Sequence, residues 1–385
     1  MGARVANARI IRSMKEIAQA EWDALANPIG QEFNPFVSHD FLRCLEESGS
    51  AVGRTGWQGA HLVLSDGTGA AAGVAPCYLK SHSYGEYVFD HGWAEAYERA
   101  GGDYYPKLQV SVPFTPATGP RLLAPTAELR AALADGLAAL CKQVSASSVH
   151  ATFLPQEDWD ALGGKKWLKR QDIQFHWHNQ GYGSFDEFLT ALSSRKRKNI
   201  RKERETVREA GIEIDWVTGN DITERHWDIF FEFYMETGSR KWGTPYLTRR
   251  FFSLAGEAMA KNILLVMCRR NGRIIAGALN FIGSNALYGR NWGATEHHDC
   301  LHFEACYYQA IDFAIAHKLA RVEAGAQGPH KLARGYVPAA TYSLHYLADP
   351  RLSRAVAEYL EREREAIGEE QELLAAHAPF READF

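Results

Sequence analysis

No stretch of this 385-residue chain holds the roughly 20 consecutive apolar residues that a helix needs to cross a bilayer, so no membrane span is expected. Cysteine is sparse. The six thiols, Cys44, Cys77, Cys141, Cys268, Cys300 and Cys306, are scattered without a CxxC pair, which argues against a disulfide framework or a zinc finger and for reduced, mostly buried thiols. A surplus of one charge is missing too. Lys and Arg total 43 against 47 Asp and Glu, a net charge of −4, so there is no whole-chain attraction to DNA or to an anionic membrane, and any contact with nucleic acid has to be local. The opening MGARVANARIIRSMKEIAQAEWDAL mixes charge and apolar residues too closely for a signal-peptide core, and Ala6 stands where a myristoylation signal needs Ser or Thr. The expected location is the cytoplasm.

What is present is enough for two cores: 46% of residues are hydrophobic and 23% charged, in a chain longer than one core usually serves. The clearest element is a hairpin over Ile263 to Ile282, whose Asn271-Gly272 pair tolerates positive φ at both turn positions. His61 to Leu79 repeats that pattern. Gly73 and Gly277, and Tyr84-Gly85 and Tyr288-Gly289, are each separated by 204 positions, the mark of an internal duplication. After the second hairpin come a strand (Ala286 to Asn291), a Gly-containing loop (Gly293 to Thr295), a helix with an apolar stripe through Phe303, Cys306, Tyr307, Ala310, Ile311 and Ala314, and a strand (Arg321 to Ala324). The order βααββ then βαβ is the pattern of a mixed-sheet α/β GNAT-like domain, and the same order can also be drawn as another α+β fold. The expected division is an N-terminal GNAT-like domain over 1–180 and a C-terminal one over 181–385, with a basic helix at 185–210 and a C-terminal surface helix over Leu352 to Leu374.

From Asn34 nearly to its end the chain resembles the FemAB-like family of N-acyltransferases, called peptidoglycan biosynthesis or recognition proteins. The strings that carry the resemblance are KSHSYGEYVFD, YYPKLQVSVPFTPATGPRLL, SSRKRKNIRKER, KWGTPYL, LYGRNWG, LHFEACYYQAIDFAI and EAGAQGPHKLARGYVP. Asn291 departs from the aromatic that usually follows LYGR. The resemblance implies tandem GNAT domains and transfer of an acyl or aminoacyl group to a small-molecule or peptide amine. Acyl-CoA or aminoacyl-tRNA would be the co-substrate, with no tightly bound cofactor. The other class of function it leaves is non-catalytic recognition of a peptide in the same cleft.

Such a transfer needs a base for the ammonium and donors for the oxyanion. Glu304, Glu323 and His302 are the candidate bases. Glu304 can equally be an acid favoured by the helix dipole, and Glu323, in the apolar strand RVEAGA, a buried partner of Arg334 or Lys331. Tyr288, Arg290, Trp292 and Gly293 are candidate donor-binding residues, since Arg290 to Thr295 partly matches a pyrophosphate-cradling loop; Gly293 can also be a plain turn residue. His330, Lys331 and Arg334 in GPHKLARGY suit a phosphate or carboxylate. The run holding Arg195, Arg197 and Lys198 reads as a helix face for phosphates, possible tRNA included, or as a solvated face, with Asn199 and Ile200 turned inward. The aromatics from Tyr84 to Tyr105 either wall an acceptor groove or fill a core. The crowded HHDCLHFE is set aside as a metal site because it lacks HExxH order.

Overall fold

The computed structural model describes residues 7–164, 166–241, 245–325 and 328–380; residues 242–244 of KWGTPYL and 326–327 of EAGAQGPHKLARGYVP lie outside them. In chain order the elements are β1 (Asn7–Ile11), α1 (Gln19–Ala26), α2 (His39–Glu47), β2 (Trp57–Gly59), β3 (His61–Ser65), β4 (Ala71–Ala75), β5 (Cys77–Lys80), α3 (His91–Arg99), β6 (Lys107–Val110), α4 (Ala127–Gln143), β7 (Ser148–Leu154), α5 (Gln156–Leu162) and β8 (Leu168–His178). They continue with α6 (Phe185–Ala191), α7 (Ser194–Glu209), β9 (Ile212–Thr218), α8 (Glu224–Lys241), α9 (Arg249–Met259), β10 (Ile263–Arg270), β11 (Arg273–Ile282), β12 (Ala286–Ala294), α10 (Leu301–Phe303), α11 (Gln309–Ala316), β13 (Arg321–Glu323), β14 (Val337–Leu347) and α12 (Pro350–Ala376). None of these helices is long and apolar enough to cross a membrane.

The chain forms two compact units, Met1–Ile173 with Ala340–Glu369, and Gln174–Ala339 with Glu370–Phe385. Relative to the expected 1–180 and 181–385, the change of unit comes earlier, and Ala340–Glu369 group with the first unit instead of the second.

In the first unit β1, β3 and β4 pair antiparallel, as do β2, β5 and β6. Ala60 and Pro76 interrupt what would be two long strands, Pro76 because it has no N–H to give a ladder. β6 and β7 are parallel, and α4 links them. Thr126 caps α4, accepting from the Leu129 N–H at 3.4 Å, and Leu129, Leu133, Leu137 and Leu140 are buried as their spacing predicts. β14 pairs antiparallel on the far side of β7.

The second unit repeats the plan. β9, β10, β11 and β12 run antiparallel, β12 and β13 are parallel with α10 and α11 between them, and β8 pairs antiparallel beyond β13. Asn271 and Gly272 take φ of 51° and 75° at the β10–β11 turn, the left-handed pair the sequence called for. Gly73 and Gly277 both lie in the second strand of a hairpin. The Tyr-Gly half of the repeat does not hold, because Tyr84-Gly85 fall in the loop after β5 while Tyr288-Gly289 are within β12.

Two further expectations are corrected. The basic segment is not one helix over 185–210: α6 ends at Ala191, Leu192 is extended and bridges to Phe380, and α7 starts at Ser194. Ile200 turns inward but Asn199 is exposed. The expected strand Ala286 to Asn291 runs on to Ala294, so Gly293 and Ala294 are strand and not loop: Gly293 pairs with Gly277, and a Cβ there would lie 2.1 Å from the Phe233 oxygen. Gly293 therefore lets α8 pack on β12 and forms no phosphate-cradling turn.

Candidate active site

β12 and β13 stay paired for only three residues, ending at Tyr288↔Glu323, while β12 runs on to Ala294. The ladder to β11 slips in the same place, with Leu279 facing Asn291 and Asn280 facing Gly289, so Arg290 is the extra residue of a bulge. A strand that bulges as it leaves its parallel neighbour opens a cavity, here about 100 Å³, lined by Asn280, Gly289, Arg290, Trp292, His302, Tyr307 and Ala324 among others. Gly289 matters to it: a Cβ there would meet Asn280 Oδ1 at 3.4 Å and the Glu323 carbonyl at 3.5 Å.

The helix behind the cavity is irregular. Between α10 and α11 residues Glu304–Tyr308 form a π-helical turn, a widening often found at functional sites. His302 and Tyr307 line the cavity, with the His302 ring edge-on to Trp292 and Tyr307 at centroid distances of 5.4 Å. Glu304 does not line it. Its carboxylate receives Arg204 Nε at 3.2 Å, Arg204 NH2 at 3.0 Å and Gln309 Nε2 at 2.7 Å, beside a separate groove of about 580 Å³ lined also by Phe185, Arg201 and Arg208. Burial pushes its pKa up and Arg204 opposes that.

Glu323 is buried in β13, 4% exposed. Arg321 Nε donates to Oε1 at 2.9 Å, while Oε2 has no hydrogen-bond partner among the described residues and faces His176 Nε2 at 3.9 Å. Its ion pair is thus with Arg321, not with the expected Arg334 or Lys331. Tyr288 is paired to it across the strands, and Arg321 also reaches the Tyr288 hydroxyl at 3.4 Å.

In the 3₁₀ segment Pro329–Arg334 the three expected anion binders separate. Lys331 is buried and donates to the Gly325 carbonyl at 2.9 Å, and burial brings its pKa down to about 8. Arg334 donates to Glu203 at 2.8 Å and lies 3.4 Å over the Phe303 ring. His330 is exposed, its Nε2 2.9 Å from the Tyr307 hydroxyl at the edge of the cavity lining. On α7, Arg195 and Lys198 are exposed, Arg197 reaches Ser194 at 3.4 Å, and Arg204 turns inward to Glu304 and Asp312. Of the expected residues Arg290, Trp292 and His302 line the cavity, His330 meets its lining through Tyr307, Tyr288 and Glu323 sit at the end of the β12–β13 ladder outside the lining, and Glu304 and the Arg195 run are elsewhere. Among the described residues no group of His, Cys, Asp and Glu is arranged to hold a metal ion.

Sequence reasoning missed a buried charged network in the first unit. Lys107 Nζ donates to Ser83 at 2.7 Å, Glu86 at 2.7 Å and Asp90 at 2.5 Å, and Tyr104 donates to the same Asp90 oxygen at 2.7 Å. Lys80 lies 3.7 Å from Glu86 and 3.4 Å over Trp57; burial lowers its pKa to about 7. His150 and His345 meet Nδ1 to Nδ1 at 2.7 Å, and burial first, with Lys107 next, holds His150 neutral down to about 3. The signal was present: KSHSYGEYVFD and YYPKLQV contain Lys80, Ser83, Glu86, Asp90, Tyr104 and Lys107. Of the aromatics nearby, Trp93 and Tyr104 are core, while Tyr84 and Phe89 are exposed.

An antiparallel run, a bulged strand, a helix and a parallel strand that splays from the first make a GNAT-like fold in the second unit, and the first unit repeats the antiparallel strands, the helix and the parallel strand. The chain belongs to the FemAB-like family, described as peptidoglycan biosynthesis/recognition, whose profile matches residues 13–382. Among solved structures it is similar to FemX (TM-score 0.55, 12% identity, 89% of this chain and 98% of that one). It is also similar to L-PGS from Bacillus licheniformis (0.52, 10%, 86% and 98%) and to a conserved protein of unknown function from Bacteroides thetaiotaomicron (0.50, 11%, 89% and 100%). At these identities the likeness speaks for the fold. No curated protein sequence matches the chain.

Proposed function

We propose that the chain is an N-acyltransferase acting in peptidoglycan biosynthesis, moving an acyl or aminoacyl group from acyl-CoA or aminoacyl-tRNA to a peptide or small-molecule amine in the cytoplasm. The observation that carries the reading is the bulged strand β12 leaving β13 beside a cavity, where the ladder ends at Glu323, whose buried Oε2 has no hydrogen bond among the described residues. The donor carbonyl enters between the strands, where backbone N–H groups near the bulge stabilise its developing oxyanion. Glu323 takes a proton from the acceptor ammonium, the freed amine attacks the carbonyl, and the adduct collapses as the donor's C–S or C–O bond breaks, the second proton of the nitrogen going to the departing thiolate or alkoxide. Because the donor is already activated, positioning does most of the rest. Arg290, Trp292 and His302 line the donor's approach, with Tyr288 at the end of the β12–β13 ladder and His330 at the cavity's edge.

The test is amide formation, followed by mass spectrometry, with acyl-CoA and aminoacyl-tRNA each offered against peptidoglycan-peptide amines. Turnover is expected with one donor, and Glu323→Gln should lower kcat by about 10² to 10⁴ with donor binding kept. Failure to bind either donor overturns the reading. Binding of the peptide with no transfer by the parent protein replaces it with recognition alone.

A further inference from the structure

The cavity beside the bulge of β12 owes its depth to small residues, Ala278 on β11, Gly289 on β12 and Ala324 after β13. Buried Leu279, Asn280 and Tyr307 close its inner end, and half-buried Arg290, Trp292 and His302 stand at its mouth. The walls are braced. Trp292 meets His302 edge-on, and His302 meets Tyr307 in the same way. Tyr307 is held in turn by its hydroxyl to His330 and by buried Tyr336, whose hydroxyl donates to the Tyr307 carbonyl at 3.4 Å. No ring in such a set swings aside without displacing its neighbours. One water takes a share of about 30 Å³ in the liquid, so a cavity of about 100 Å³ holds roughly three or four non-hydrogen atoms.

Charge narrows the choice of occupant. The lining carries the Arg290 guanidinium and, among the described residues, no carboxylate. An ammonium drawn into so small a space beside a guanidinium would have to give up its proton. Asn280 turns its Nδ2 to the Leu264 and Ala278 carbonyls, each at 3.5 Å, so its oxygen is the end left for the cavity. That oxygen can take one N–H, which does not replace the anion an ammonium needs. We propose that the group transferred at this site is a short, uncharged acyl chain of acetyl or propionyl size, and that Gly289 sets the limit on its length. This rests on the proposed acyl transfer and names its substrate class. With a thioester donor the amide C–N bond forms and the C–S bond breaks. Of the three protons on the acceptor ammonium, one goes to Glu323, one to the thiolate, and one stays on the amide.

Gly289 is where the cavity can be altered without rebuilding it. The residue lies in extended strand backbone, outside the left-handed region. A Cβ there would stand 3.4 Å from Asn280 Oδ1 and 3.5 Å from the Glu323 carbonyl, which are ordinary contact distances. Gly289→Ala therefore fits the fold and fills part of the space an acyl tail would take. Cys306→Ala works in the other direction, trimming the helical wall by one sulfur.

The test on the full chain is kcat/KM against one peptidoglycan-peptide amine, with acetyl-, propionyl-, butanoyl- and hexanoyl-CoA, glycyl-CoA and glycyl-tRNA as donors. Propionyl and glycyl groups are equal in size, so that pair on one carrier isolates charge. The parent should use acetyl- or propionyl-CoA best, lose about 10- to 200-fold on the first methylene beyond propionyl, and prefer propionyl-CoA to glycyl-CoA by about tenfold or more. Gly289→Ala should lower the propionyl-to-acetyl ratio by about tenfold or more, and Cys306→Ala should raise the butanoyl-to-propionyl ratio. Such ratios cancel any general loss of activity in a variant. A parent that prefers a glycyl donor, or takes hexanoyl as well as acetyl, overturns the proposal, as do ratios unmoved in both variants. If no donor is turned over, the functional reading fails by itself, and binding still decides the size limit. S-ethyl-CoA should then bind about tenfold or more tightly than S-hexyl-CoA, and equal affinity, or none for either, overturns the inference.

Discussion

Glu304 and Glu323 are equally inaccessible, 4% exposed each, and what meets each carboxylate separates them. Glu304 is closed by a guanidinium and an amide; Glu323 keeps one oxygen open. The same contrast divides the cations near the site. Arg334 finds Glu203, whereas buried Lys331 donates to a carbonyl, that of Gly325, and no carboxylate pairs with it among the described residues. Its pKa falls from 10.5 to about 8, so folding disfavours the ammonium. With the folded value below the unfolded one, the cost is complete below about pH 8 and vanishes above the unfolded value. Lys331→Met removes that dependence. Relative to the variant, the parent should gain roughly 2–3 kcal/mol between pH 7 and pH 10.5, read from urea midpoints of both proteins at matched pH. A constant difference across that range would show that Lys331 is not held near neutrality.

At the scale of elements, the network on β5, β6 and the loop between them ties irregular chain to the sheet through Lys107. Burial alone would raise the pKa of Asp90, yet Lys107 and His150 outweigh it and hold the group charged. Lys107→Met would leave two buried carboxylates facing each other. Breaking one partner of a buried ion pair costs about 3–5 kcal/mol, and a urea midpoint unchanged by this substitution would contradict the role given to Lys107. Elements were legible where their cause is local. The β10–β11 turn follows from Asn271-Gly272, and α4 from its leucine spacing and Thr126. Elements whose cause is distant were not. The break between α6 and α7 depends on Leu192 bridging Phe380, and the Ser193 N–H donating to the Pro379 carbonyl at 2.9 Å. The strand character of Trp292 to Ala294 comes from pairing with β11. The site divides in the same way: Glu323 stood out as a carboxylate in an apolar strand, while His176 comes to face it only through a register between strands far apart in the chain.

At the scale of the molecule, duplication of the plan was readable in the two hairpins, but the closing strands are not where a contiguous duplication would put them. β14, late in the chain, pairs with β7 of the first unit, and Leu347, Leu352, Val356 and Leu360 form one apolar cluster with Trp93, Tyr104 and Leu168. Burying each such aliphatic side chain is worth about 1.5–3 kcal/mol, so the four together rival the about 5–15 kcal/mol by which a domain is stable at all. A fragment of residues 1–180 should therefore fail to fold by itself: it loses the cover of that cluster and leaves β7 with an exposed edge. The expected result is strong binding of an apolar dye and a broad, non-cooperative urea transition. Adding residues 340–369 as a separate peptide should suppress the dye signal and restore a sharp transition. A fragment of 1–180 that unfolds cooperatively without the peptide would mean that the first unit is complete before β14 is made.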